Sequence, residues 1–213
     1  MKIKTFSDGL LGSNEYLVWN ESSGHGAVID CGNAVSEIEK FVCENGITVE
    51  HIILTHGHFD HAEYTEEHQS AFPNATLLCH GNELSTIFDC KANLSVFFGN
   101  SKAYPEPFAT FKNGDDVVIH GDYPENDIVF RVSDAPGHTP GGFLLICEKE
   151  KVMFTGDVLF KRGMGRTDFP GGDELAMRGT LHMIAEMDED ITFYPGHGEP
   201  STVGAEKMWL MRV

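Results

Sequence analysis

The 213-residue sequence lacks several features that would place it in common protein classes. It has no apolar run of membrane-spanning length and no long apolar stretch near Met1, so we expect neither a membrane partner nor a signal peptide. Basic residues are scarce, with 15 against 33 acidic ones, and the formal net charge of −18 argues against nucleic acid as a partner. The five cysteines are scattered without a Cys-x-x-Cys pair, which predicts reduced thiols in a cytoplasmic protein.

Linkers, low-complexity runs and repeats obvious by residue identity are also missing from the chain. Its length and ordinary composition suit one domain with a sizeable core, so we expect a single domain over 1–213. A small-molecule substrate is the partner that remains, and the oligomeric state is left open.

Short apolar segments bounded by Gly, Asn, Ser and Pro alternate with stretches of helical spacing, which is typical of a mixed α/β (α+β) chain. The pattern predicts strands at 3–6, 14–19, 26–30, 50–54, 76–79, 117–120, 128–132, 143–147, 152–155 and 191–193. It predicts helices at 33–44, 62–71 and 81–90. The irregular segment 91–107 is either an ordinary surface connection or a wall or lid of a site.

Four residues of metal-ligand type lie within six positions, directly after the buried strand 50–54: His56, His58, Asp60 and His61. On an extended loop, side chains two positions apart point the same way, so His56 and His58 can bind one ion together. A helix that begins at His61 would turn Asp60 and His61 toward a neighbouring ion. Imidazole and carboxylate groups are the ligands that borderline divalent metals prefer, and the alternative is a solvated histidine-rich loop.

Three more candidates follow strands further along the chain. His138 and His197 each come after a Pro-Gly pair, and Asp157 follows the strand 152–155. Asp30 ends the strand 26–30, where it either orients a metal-binding imidazole or simply forms a turn or helix cap.

The motif Thr-His-x-His-x-Asp-His at 55–61, with the later candidates in this order, resembles the metallo-β-lactamase superfamily signature. The resemblance spans 14–204 and implies an αββα sandwich of two mixed β-sheets with helices outside. It also implies two divalent metal ions, zinc before iron or manganese. The implied ligands are His56, His58 and His138 for one ion, Asp60, His61 and His197 for the second, and Asp157 as the bridge. The other six histidines are expected at the surface or in packing.

Two such ions can lower the pKa of water toward neutrality, and Asp60 would orient the nucleophile as well as bind metal. A separate general acid is not evident in the sequence. This favours a leaving group that needs no proton, such as a thiolate, because a thiol has a pKa of about 8.5.

The segment 156–172 is similar to the short glyoxalase II-like (hydroxyacylglutathione hydrolase-like) hydrolases. Its Gly-Arg-Thr-Asp-Phe part is shared with persulfide dioxygenases, in which the resemblance implies one iron on His56, His138 and Asp157. Two departures argue against a classic glutathione-thioester specificity. Only 16 residues follow His197, so we expect no helical C-terminal domain, and 62–64 reads Ala-Glu-Tyr where the family has a small pair.

Lys161, Arg162 and Arg166 form a basic cluster in a very acidic chain. They predict a substrate-binding patch for a carboxylate near the metals. The alternatives are ordinary surface residues or an internal pair between Arg166 and Asp168.

The function that these observations favour is a binuclear metal-dependent hydrolase of thioesters. A mononuclear-iron persulfide dioxygenase is the alternative, followed by a lactonase, a β-lactamase or a metal-binding module without turnover, because the fold alone does not fix the substrate.

Overall fold

Two six-stranded β-sheets lie face to face in the structure, a computed structural model that describes residues 1–7 and 9–213. The first sheet has the order β1-β2-β3-β4-β5-β6, and the second has the order β14-β13-β10-β9-β8-β7. The strands of the first sheet are β1 Lys2–Phe6, β2 Glu15–Trp19, β3 His25–Ile29, β4 Thr48–Leu54, β5 Thr76–His80 and β6 Ala109–Phe111. Those of the second are β7 Asp116–Ile119, β8 Ile128–Asp134, β9 Phe143–Cys147, β10 Val152–Gly156, β13 Thr192–Pro195 and β14 Ser201–Thr202. A small hairpin consists of β11 Leu159–Phe160 and β12 Gly163–Met164.

Both sheets are mixed. Strands β3 to β6 are parallel to one another, whereas β1, β2 and β3 pair antiparallel. In the second sheet β10 and β13 are parallel and the other pairs are antiparallel. The run Ile52, Ile53 and Leu54 in β4 is fully buried, as expected of a central parallel strand that is covered on both faces.

Helices cover the outer face of each sheet. They are α1 Ser36–Asn45, α2 Phe59–Ala62, α3 Thr65–Ala71, α4 Leu84–Phe88, α5 Glu174–Ala185 and α6 Val203–Leu210. In the described part of the chain, every helix is too short or too polar to cross a membrane.

The apolar core has three layers. Tyr16 and Ile29 of the first sheet pack with Phe130 and Phe154 of the second in the middle layer. One outer layer joins the first sheet to α1 and α3, and the other joins the second sheet to α5 and α6. This arrangement confirms the αββα sandwich that the sequence predicts.

Two of the expected helices differ from the structure. The stretch 62–71 is not one helix, because the N–H of Tyr64 donates to the carbonyl of Cys31 instead of continuing the helix, and α2 and α3 separate there. The helix expected at 81–90 is reduced to α4 after a 3₁₀ turn at Gly81–Glu83. It ends where the side chain of Asp89 accepts the N–H of Lys91, a local turn that competes with the helix.

Candidate metal centre

The predicted ligands follow the carboxyl ends of four strands at one edge of the sandwich. His56 comes after β4, His138 after β8, Asp157 after β10 and His197 after β13. Helix α2 begins at Phe59, two residues earlier than expected, so Asp60 and His61 lie inside its single turn. Strand ends from both sheets therefore deliver side chains to the same place.

The structure brings the seven side chains together, and we call them the metal cluster. Their donor atoms form three groups, each with all atoms within 4.8 Å of one another: His56, His58 and His138; His56, His61 and Asp157; and Asp60, His61 and His197. The first and third groups have the membership that the sequence resemblance implies for the two ions. Asp157 shares a group with one member of each set, which is where a bridging carboxylate must lie.

Asp30 holds two histidines of the metal cluster from behind. Its carboxylate accepts the N–H of Thr55 at 2.7 Å, the hydroxyl of Thr55 at 2.9 Å and Nδ1–H of His61 at 2.8 Å. The Thr55 oxygen lies 3.1 Å from Nδ1 of His56. Both imidazoles are thereby oriented with Nε2 toward the metal cluster, as outer hydrogen bonds do at metal sites. Asp30 has a φ of 65°, a strained value that redirects the chain at the end of β3.

The donor atoms fit divalent metal ions. Nδ1 of His138 donates to the carbonyl of Arg166 at 2.7 Å, so its Nε2 faces the metal cluster, 2.9 Å from Nδ1 of His58. Nε2 of His56 and Oδ1 of Asp157 are buried without a hydrogen-bond partner in the described residues. Buried polar atoms are rarely left in this way unless a ligand completes them.

Electrostatics gives His56, His58 and Asp157 the protonation states that metal ligands require. The nearby carboxylates of Asp157 and Asp60 have the opposite effect on His61 and His197, and they raise the pKa of both imidazoles despite burial. Burial, with the neighbouring His61 and His58, holds the pKa of His56 well below its ordinary value. Burial and His138 lower the pKa of His58 to about 3. Burial alone would raise the pKa of Asp157, but nearby imidazoles, above all His61, outweigh it and keep the carboxylate ionised.

Gly196 allows the metal cluster to close. A methyl group at this position would collide with the carboxylate of Asp157 and with the ring of His61. The Pro-Gly-His pattern in the sequence therefore has a steric reason here, because only glycine lets the β13 loop approach so closely.

Glu83 is a residue that the sequence reasoning missed. It is fully buried, and its carboxylate accepts the N–H of Gly57 at 2.9 Å and the N–H of Gly141 at 2.7 Å. It thus ties the loop of His56 and His58 to the loop of His138. In sequence it reads as one acid on a short helix, and only the tertiary structure shows what it contacts.

A cavity of about 290 Å³ opens over the metal cluster. Five members of the metal cluster line it, namely His58, Asp60, His138, Asp157 and His197. We call the apolar side chains around them the wall, which includes Leu11, Phe59, Leu94, Phe98, Phe160 and Phe169. Leu94 and Phe98 belong to the segment 91–107, so this segment forms part of a wall and is more than a surface connection.

The comparison with known families agrees with this geometry. The family model of the metallo-β-lactamase superfamily matches residues 8–197, which include all seven members of the metal cluster. The chain belongs to the metallo-β-lactamase superfamily. Members of this superfamily are mostly metal-dependent hydrolases that bind divalent metals at a histidine-rich site.

Several superfamily proteins are similar to the chain over nearly their whole length. Hydroxyacylglutathione hydrolase GloC of Haemophilus influenzae is 31% identical, with 90% of this chain and 88% of that protein covered. The crystal structure of BLEG-1 B3 metallo-beta-lactamase has a TM-score of 0.86 at 27% identity, with 96% of each chain covered. TTHA1623 in a di-iron-bound form has a TM-score of 0.82 at 26% identity, with 95% of this chain and 96% of that one covered.

The three basic residues of the superfamily segment 156–172 are not assembled into one patch. Arg166 lines the cavity, but its guanidinium makes two hydrogen bonds with Asp168, at 2.8 and 2.6 Å. Lys161 pairs instead with Glu199 at 2.6 Å, and within the described residues neither Lys161 nor Arg162 is part of the cavity lining. The internal Arg166–Asp168 pair, the alternative in the sequence, is therefore formed, and substrate binding by Lys161 or Arg162 stays a prediction.

Proposed function

We propose that the protein is a binuclear metal-dependent hydrolase that cleaves thioesters. Two divalent ions, zinc first, would lie on the metal cluster with Asp157 between them. The proposed ligands are His56, His58 and His138 for one ion and Asp60, His61 and His197 for the other.

The side chains that line the cavity are the observation that supports cleavage of thioesters. Apart from the metal cluster and the paired Arg166, the described residues that line the cavity are apolar or glycine. An amide or alkoxide leaving group needs a proton donor, and this lining offers no Lys, Tyr, Cys or Glu for that role. A thiolate leaves without protonation, because the pKa of a thiol is only about 8.5.

Bound divalent ions would supply a water of lowered pKa and a positive charge beside the carbonyl oxygen. The chain supplies the positions. Asp60 lies in the cavity lining, where its carboxylate would orient the attacking water, and its Oδ2 is 3.3 Å from Nε2 of His197. Burial alone would raise the pKa of Asp60, but His61 and His197 lower it, which keeps this carboxylate an acceptor.

The name of the Haemophilus influenzae relative, a hydroxyacylglutathione hydrolase, supports thioester cleavage. The di-iron form of TTHA1623 supports a pair of ions and leaves iron beside zinc as the metal.

The test is elemental analysis of protein that is purified without added metal, followed by rates on a panel of thioesters, lactones and a β-lactam. We expect about two divalent ions per chain and turnover of thioesters above the other classes. One iron per chain with oxygen uptake on glutathione persulfide would replace the proposal with a dioxygenase on His56, His138 and Asp157. Full metal content without turnover of any compound would indicate a binding module.

A further inference from the structure

The wall of the cavity exposes large apolar side chains that a core would bury. Leu11 is 64% exposed and Phe98 is 55% exposed, and both line the cavity. Phe98 stacks on Phe59, with ring centroids 4.2 Å apart and an interplanar angle of 25°. Exposed apolar side chains that converge on a cavity gain by burial against an apolar ligand.

The segment that carries Leu11 is anchored to the metal cluster. Leu11 has a φ of 55°, an uncommon conformation for a residue with a side chain. Two residues after it, Ser13 forms a β-bridge with His197, and the N–H of Asn14 donates to the carbonyl of Gly196 at 2.7 Å. A strained residue held this firmly beside a site points to a role in the site.

The same cavity offers little positive charge for the recognition of an anionic substrate. The guanidinium of Arg166 is taken up by Asp168 and lies over the ring of Phe169, 4.3 Å from its centroid. The formal net charge of −18 further disfavours an anionic substrate.

We propose that the cavity selects thioesters with an uncharged, apolar acyl group, in preference to hydroxyacyl or glutathione thioesters. This inference rests on the proposed thioesterase function. The acyl chain lies against Phe98, Leu11 and Phe169, and the thioester carbonyl lies over the metal cluster. A cavity of about 290 Å³ is at the small end of the range for ligand sites, so the acyl chain is short.

The first experiment measures binding without turnover. N-acetyl-S-hexylcysteamine, a thioether that cannot be hydrolysed, is titrated into the protein by calorimetry. We expect Phe98→Ala to raise its dissociation constant about ten-fold, because the variant removes apolar contact area from the cavity. The matched control is Phe97→Ala, since Phe97 is 70% exposed and adjacent in sequence but is not among the described lining residues. Equal affinity of the two variants would remove Phe98 from the proposal.

The second experiment measures acyl preference in the metal-loaded protein. N-acetylcysteamine thioesters of acetate, propionate, hexanoate and lactate share one uncharged thiol half. We expect kcat/KM to rise about four-fold per added methylene until the cavity is filled. Propionyl and lactoyl differ only by a hydroxyl group, and propionyl should be the faster of the two, with S-lactoylglutathione slower still.

The outcomes separate this inference from the function on which it rests. Failure to hydrolyse every thioester, with two metals bound, would reject the thioesterase function. Hydrolysis with a flat acyl profile, or with lactoyl ahead of propionyl, would reject only the apolar acyl specificity.

Discussion

The metal cluster and the wall of the cavity differ in how they are held. Hydrogen bonds accepted by Asp30, Glu83 and the carbonyl of Arg166 fix the metal cluster and its loops from behind, and most of the metal cluster is buried. The wall includes Leu11 and Phe98, which are more than half exposed, and the ring of Phe98 is held by stacking on Phe59. Positioning of ions requires fixed geometry, whereas apolar contacts tolerate substitution. We therefore expect variants of the metal cluster and its supports to have large effects, and variants of the wall or of Arg166 to have smaller ones.

The largest effect is expected from Asp157→Ala. Loss of the bridging carboxylate should remove one or both ions and abolish turnover, while the core stays folded. Elemental analysis, activity and circular dichroism measure the three effects. Asp134→Ala is the control, because Asp134 also ends a strand but pairs with His80 at 3.0 Å. Normal metal content in Asp157→Ala would refute the bridging assignment.

Glu83→Gln tests a residue that supports the metal cluster without contacting any of its metal-binding atoms. A glutamine can accept only one of the two N–H groups of Gly57 and Gly141, so the two histidine loops should loosen. We expect metal affinity to fall about 10- to 100-fold, measured by equilibrium competition with a chelator, and metal transfer to the chelator to be faster.

The control for Glu83→Gln is Glu206→Gln. Glu206 is also a buried glutamate, but it accepts from the N–H of Arg162 and the hydroxyl of Ser201. It should lower the melting temperature without faster metal loss. Equal metal loss in both variants would mean that Glu83 acts only on general stability.

The buried pair of His68 and Glu15 should make the stability of the fold depend on pH. Nε2 of His68 donates to the buried carboxylate of Glu15 at 2.7 Å, and the other oxygen of Glu15 accepts the N–H of Asn33. Burial alone would lower the pKa of His68, but Cys31 and Glu15 outweigh it and raise that pKa to about 11. Because the folded pKa is raised, the stabilisation is complete below about pH 6.5 and is lost as pH rises toward 11.

We expect the melting temperature of the wild type to fall by several degrees between pH 7 and pH 10. In Glu15→Gln the fall should be smaller, since one of the two groups that raise the pKa of His68, the carboxylate of Glu15, is gone. Calorimetric scans over this pH range measure both slopes. Parallel slopes would show that another group is responsible.

The smallest effect is expected from Arg166→Ala, in the lining of the cavity. Its guanidinium is already paired with Asp168, and its backbone carbonyl, which orients His138, is kept in the variant. The kcat/KM for S-lactoylglutathione should change by less than about three-fold. Asp168→Ala should free the guanidinium and raise kcat/KM for S-lactoylglutathione relative to kcat/KM for a neutral thioester. A ten-fold loss in Arg166→Ala would instead restore the predicted carboxylate-binding role.

The sequence by itself determined the order of strands and the candidate ligands, and its resemblance to the metallo-β-lactamase superfamily implied the αββα sandwich and the full set of seven. Strand periodicity is local, and the spacing of His56, His58, Asp60 and His61 survives folding because these residues are adjacent in the chain. The Pro-Gly-His pattern that contains His138 and His197 is local in the same way, although the close approach that requires its glycine forms only in the fold.

Only the tertiary structure decided what surrounds the metal cluster. Glu83 meets Gly141 across 58 positions, and no periodic pattern records such a contact. Asp168 pairs with Arg166, and Lys161 pairs with Glu199. Phe98 lines the cavity although its segment has no regular hydrophobic pattern. The ligands are encoded by neighbours along the chain, whereas the supports and the wall depend on which loops the two sheets bring together.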